Sequence, residues 1–225
     1  MTRNYVFALG EYYHIYNRGT EKRRIFLDKK DYKRFTFLLF ICNNHSSIEV
    51  RNYKNLTSFG KFNLQRGNTL VDIGAYCLMP NHFHLLLKEK TKGGISLFMQ
   101  KLTTSYAMYF NIAYERSGSL LQGTFKARPI KEDKYLEYLY AYIHFNPMKL
   151  IEPKWKEKIT KDNQKTKEFL SSYVYSSYLD FVGVDRVEGK ILNRSAFPDY
   201  FQDQASFSDF LNSWLDNKDN EVTEV

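Results

Sequence analysis

The sequence predicts an α+β fold: a ferredoxin-like sandwich with a mainly antiparallel sheet, helices on one face and one additional helix. Three observations predict it. Segments with strand and helix patterning follow one another as strand, helix, strand, strand, helix, strand, helix. Two of the strand segments are separated only by Pro80-Asn81, a turn so short that it makes an antiparallel hairpin. Two long segments, from Ile95 and from Glu132, carry apolar residues at helical spacing.

Tyr12–Asn17 alternates and is rich in Tyr and Ile, which suits a strand. The basic stretch GTEKRRIFLDKKD follows as a loop, and Asp31 to about Asn43 is apolar at helical spacing. Residues 44–67 are polar and turn-rich, an insertion between core elements with room for a short hairpin of its own. Leu70–Met79 reads as a buried strand and His82–Lys88 as its partner. Ile95–Ala113 sets Ile95, Phe98, Met99, Leu102, Tyr106, Tyr109 and Ala113 along one stripe, and Ser117-Gly118 ends that helix. GTFKARPIK, 123–131, is a short basic strand. Glu132 to about Phe145 is the second long helix, with acids in its first turn where the helix dipole favours them. Residues 1–158 read as one domain. Residues 159–225 read as a partly helical extension, in which SSYVYSSYLDFVG and SFSDFLNSWL can dock on the core.

With 43% hydrophobic and 26% charged residues, the chain is of folded rather than disordered composition. It has no run of about 18 apolar residues, so a membrane-spanning helix is not expected. The N-terminus lacks the apolar stretch of a signal peptide. Cys42 and Cys77 are too few for a disulfide framework or a zinc–thiolate site. A cytoplasmic setting is the expectation. The net charge of +8 is uneven: residues 201–225 hold six acids and Lys218, net −5, which leaves +13 on residues 1–200. A basic body with an acidic tail suits a polyanionic partner, and a solvated basic surface is the plainer alternative.

Three groups of residues can carry chemistry. Side chains alternate along a strand, so His82 and His84 share one face and can reach one metal ion, while Phe83, Leu85 and Leu87 turn to the core. Tyr142 and Asn146 lie four apart on the additional helix and so share a face. Tyr142 can act as a nucleophile, and the Asn146 amide oxygen is a hard ligand suited to magnesium or manganese. Pro147 disfavours helical geometry at Asn146, which leaves the direction of that side chain open. Arg23 and Arg24 in the basic loop, and Lys126 and Arg128 in the basic strand, are candidate phosphate contacts. Each group also has an ordinary reading: strand histidines satisfied in the core, packed helical tyrosines and solvated cations.

Five segments stand in a familiar order: YHIYNRG, AYCLMPNHFHLLL, SYAMYFN, RSGSLLQGTFKARPI and YLEYLYAYIHFNPMKL. Together they cover roughly residues 11–151 and resemble the REP-associated tyrosine transposases and the related small single-tyrosine transposases of bacterial insertion sequences. LMPNHFHLLL followed about sixty residues later by YIHFNPMKL is the most specific part. The resemblance implies that His82 and His84 are metal ligands, that Tyr142 before Asn146-Pro147 is the catalytic tyrosine, and that Asn146 completes the metal site. It implies an enzyme that cuts single-stranded DNA at hairpin-flanked sites through a 5′-phosphotyrosine and can rejoin strands, as a monomer or a homodimer. It is this agreement that lifts Tyr142 above the other 17 tyrosines. Two alternatives stay open: a non-catalytic nucleic-acid-binding module on the same scaffold, and a metal-dependent hydrolase in which water attacks.

Overall fold

The hairpin that Pro80-Asn81 requires forms the middle of the construction. Val71–Met79 (β2) and His82–Glu89 (β3) pair antiparallel, with Met79 opposite His82. Tyr12–Arg18 (β1) adds to the other side of β3, and Lys126–Ile130 (β4) adds to β1, both antiparallel. The sheet order is β2-β3-β1-β4. The protein is seen in a computed structural model that describes residues 6–46, 49, 53, 55–152, 163–200 and 203–216.

Lys29–Ile41 (α1) links β1 towards β2, and Gly94–Ala113 (α3) links β3 to β4. Both cover the face formed by Ile15, Ile73, Phe83, Leu85 and Leu87, against Phe35, Leu38, Phe98, Leu102 and Tyr106. The α1 start is set by Asp28, whose carboxylate accepts from the backbone of Lys30 and Asp31 in a reciprocal capping box. Asp133–Phe145 (α4) lies on the opposite face, against Ala75, Cys77, Met79, Leu86 and Ile130. Helices therefore cover both faces, the additional helix alone on its side of the sheet among the first four strands and their connections.

In the insertion the expected hairpin is replaced by a helix, Ser58–Phe62 (α2), and the described residues of 44–67 hold no strand. The turn-forming composition serves a cap instead: the Thr57 hydroxyl accepts from Gly60 N–H at 3.1 Å. Phe62 is buried against Phe40, which anchors the insertion to α1. Residues 47, 48, 50–52 and 54 lie outside the described residues.

Both extension segments dock as expected. Asn163–Ser172 (α5), Tyr178–Phe181 (α6) and Gln204–Asp216 (α7) bring Leu170, Tyr178, Phe181, Phe207, Leu211 and Trp214 into the core around α4. Between α5 and α6 the chain runs along the outer edge of β2. Leu78 N–H donates to Tyr175 O at 3.0 Å, and Ser177 N–H donates to Tyr76 O at 2.9 Å. The extension thus covers an edge strand that would otherwise offer unpaired backbone groups. The proposed boundary near residue 158 and the tail from 217 lie outside the described residues. Among the described residues no helix is long and apolar enough to cross a membrane.

Candidate functional site

Strand alternation divides β3 as the sequence requires. Phe83, Leu85 and Leu87 join the core under α1 and α3, and the register sets His84 beside Tyr16 and Cys77, on the face that α4 covers. His82 is half-buried and His84 is buried, at 6% exposure. Their ring centroids lie 5.0 Å apart and near perpendicular.

Tyr142 reaches the same place from above. Its ring is 5.2 Å from that of His84, edge to face. Asn146 continues the helical path despite Pro147, with φ −53° and ψ −36°, and starts a 3-10 turn over Asn146–Leu150. Burial of Pro147 and Met148 outweighs the local preference against helical geometry before proline. Asn146 consequently sits fully buried on the Tyr142 side, its Oδ1 3.4 Å from His82 Nε2.

The hydrogen bonds fix which nitrogen His82 presents. Asn81 Nδ2 donates to Lys22 O at 3.2 Å, so its Oδ1 is the atom 2.6 Å from His82 Nδ1. That oxygen accepts, so Nδ1 carries the proton and Nε2 keeps its lone pair. The Nε2 lone pair and the Asn146 oxygen then face one another as two acceptors. The Asn146 Nδ2 has no hydrogen-bond partner. Turning the amide over would satisfy Nδ2 and orphan the oxygen instead, so either orientation leaves one buried polar end unmet. A cation between the nitrogen and the oxygen removes the conflict, and 3.4 Å is near the roughly 3 Å between adjacent ligands of an octahedral ion with bonds of about 2.1 Å. The donor set of imidazole nitrogen and amide oxygen suits a divalent ion of that size. Among the described residues no group of three or more His, Cys, Asp or Glu could hold a metal.

Burial, and then the charges of His14, His82 and Lys149, hold His84 well below the ordinary histidine range. Burial, with Arg128 adding to it, pushes His14 down to about 3. Both rings are neutral near pH 7, the form that offers a lone pair.

Two neighbours went unassigned in the sequence. His14 Nε2 lies 2.9 Å from His84 Nδ1. It stands in YHIYNRG and shares a strand face with Tyr12 and Tyr16, but nothing local says which strand lies beside it. Lys149 holds its Nζ 5.3 Å from the Tyr142 ring centroid. It follows Asn146 by three positions, but a lone lysine after a helix carries no signal of its own. His144 proves to be a packing residue: it is fully buried, bonds Ser177 Oγ at 2.8 Å and packs at steep ring angles against Phe181 and Phe207.

The four candidate phosphate contacts fall into two places. Arg128 pairs with His14 across β1 and β4, and its guanidinium lies 4.5 Å from the Tyr135 ring. Lys126 is exposed opposite Tyr16. Both are therefore on the histidine face. Arg23 and Arg24 sit in the loop that packs on the Pro80-Asn81 turn, where Ile25 N–H and Phe26 N–H donate to Pro80 O. Within that loop Glu21 and Lys22 hold positive φ, 56° and 60°, a strained conformation for residues with a Cβ.

Residues 61–146 match the family model described as Transposase IS200 like. No curated protein matches. Among solved structures, a REP-associated tyrosine transposase bound to a REP hairpin is similar at 15% identity and a TM-score of 0.48, over 88% of this chain and 96% of that one. A candidate transposase from Deinococcus radiodurans R1 is similar at 16% identity and TM-score 0.34, over 63% and 94%. The tRNA(His) guanylyltransferase of Saccharomyces cerevisiae is similar at 12% identity and TM-score 0.37, over 89% and 86%. These structural likenesses are too low to carry chemistry.

Proposed function

We propose that this chain, whose residues 61–146 match the IS200-like transposase family model, is a nicking and joining enzyme for single-stranded or hairpin DNA that works through a 5′-phosphotyrosine. Its fold reads as a ferredoxin-like sandwich with α4 added as the nucleophile helix. The observation that carries the proposal is the meeting of Tyr142, His84, His82 and Asn146 at one point between β3 and α4, with two acceptors facing across 3.4 Å.

In this reading the Tyr142 hydroxyl loses its proton and its oxygen attacks the phosphorus. The bond to the 3′ oxygen breaks, and that oxygen leaves as a 3′-hydroxyl. A free tyrosine has a pKa of about 10, so the phenolate needs help near pH 7. The Lys149 ammonium, close to the ring, favours the charged form. His82, His84 and Asn146 would hold a magnesium or manganese ion, which polarises a non-bridging phosphate oxygen when bound. Arg128 and Lys126, on the same face, neutralise flanking phosphates, with Arg23 and Arg24 in support. Because the tyrosyl ester retains the phosphodiester energy, a 3′-hydroxyl can reverse the step and join strands without ATP.

The test is an end-labelled single strand with manganese, resolved on a denaturing gel. Wild type should yield a protein-linked band, and Tyr142→Phe should bind DNA but yield none. Cleavage without any linked band would favour hydrolysis by water. Binding with neither cleavage nor adduct would favour a non-catalytic module.

A further inference from the structure

We propose that His14 is the positioning residue of the site: it takes the Nδ1 proton of His84 in a hydrogen bond and so fixes the His84 ring with its Nε2 bare and turned to the metal position. This rests on the metal site proposed above.

The two histidines come from neighbouring strands. Register pairs Tyr16 with His84 and His14 with Leu86, so His14 is the diagonal neighbour of His84 on one sheet face. Their nitrogens are 2.9 Å apart, and the rings lie nearly parallel, at 26°. Two imidazole nitrogens at that distance share one proton. If His14 owned it, His84 would carry its own proton on Nε2 and could not ligate through that atom. If His84 owns it, both histidines of β3 present Nε2, because Asn81 already holds the proton of His82 on Nδ1. Only the second arrangement gives the two ligands the same character.

The surroundings fit a fixed acceptor. His14 is buried at 7% exposure, with ring centroids of Tyr16 and Tyr142 at 4.9 and 5.8 Å, so its ring has close neighbours that restrict its turning. Arg128 faces it across the strand pair from β4. A partner of this kind normally orients a metal-bound histidine through a carboxylate or carbonyl, and here a second imidazole takes that place.

The experiment uses the whole chain in two readouts. The first is a long-range proton–nitrogen NMR correlation of the metal-free protein, which reads the tautomer of His84. The expected result is a protonated Nδ1 and a bare Nε2; a protonated Nε2 would overturn the proposal. The second is a manganese titration followed by electron paramagnetic resonance. His14→Phe keeps the ring packing and removes the acceptor, so it should weaken manganese binding roughly 10- to 100-fold with the fold intact by circular dichroism. His14→Gln places an amide oxygen near the lost Nε2 and should recover most of the affinity, which a merely structural role would not require. Equal binding by wild type and His14→Phe would overturn this inference alone. A wild type that binds no manganese would overturn the metal site and this inference together.

Discussion

Ser177 joins the extension, the sheet and α4, and its removal has a calculable effect. Its Oγ accepts from Tyr76 N–H of β2 at 2.9 Å and bonds His144 Nε2 of α4 at 2.8 Å, all within a fully buried setting. Ser177→Ala deletes one oxygen and leaves two buried polar groups without that partner. At about 1–3 kcal/mol for each unmet group, the cost is roughly 2–6 kcal/mol, with about 3 as the working figure. For a chain of this size each kcal/mol moves Tm by about 2–4 °C, so a fall of roughly 6–12 °C is expected. Ser176→Ala is the internal control. Ser176 is equally buried, yet its Oγ accepts only one long bond, from Tyr178 N–H at 3.3 Å. It should cost about 1 kcal/mol or less. Urea unfolding and calorimetry on both variants decide the matter. A Ser177→Ala protein within about 0.5 kcal/mol of wild type, or a Ser176→Ala protein just as damaged, would refute the reasoning that hydrogen bonding to Ser177 ties α4 to the sheet.

Other outcomes follow from the same structure. Glu89, buried at the end of β3, accepts from the backbone of Gly93, Gly94 and Ile95 at 2.8, 3.1 and 2.7 Å, so Glu89→Gln should lower stability by about 2 kcal/mol in chemical unfolding while leaving manganese affinity unchanged. Burial pushes the Cys42 thiol up to about 11 and raises Cys77 further, so native protein should resist iodoacetamide at pH 8 and react once unfolded. The sign for stability follows: the unfolded Cys42 thiol loses its proton first, so stability falls as pH rises from about 9 towards 11, visible in pH-dependent urea midpoints. DNA binding should weaken steeply with salt and favour a hairpin with a single-stranded flank over a blunt duplex at fixed salt. Lys126→Ala and Arg128→Ala should each reduce the salt slope by about 0.7 on single strands.

Much of this was legible in the sequence because short-range rules dominate in β3 and α4. Two-residue alternation put His82 and His84 on one face, and the Pro80-Asn81 turn forced the hairpin. Asn146 was a harder case, since the local penalty before Pro147 argued against the helical geometry that core packing imposes. The place of His14 beside His84 was not legible, because it depends on which strand lies beside β3. The pairing of β1 with β3 is a contact between residues about 70 apart in the chain, and no local pattern states it. The short helix at Ser58–Phe62 was missed for a related reason: its stability comes from Phe62 packing on α1, not from periodicity in five residues.

The central claim is that Tyr142 is the atom donor of the covalent link, and mass spectrometry tests it most directly. The trapped protein–DNA species is trimmed with nuclease, digested with protease, and the nucleotide-bearing peptide is sequenced by fragmentation. The account predicts the added nucleotide on Tyr142, in the peptide that contains Ile143-His144-Phe145. The nucleotide on Tyr135, Tyr138 or Tyr140, the other tyrosines of α4, would contradict it.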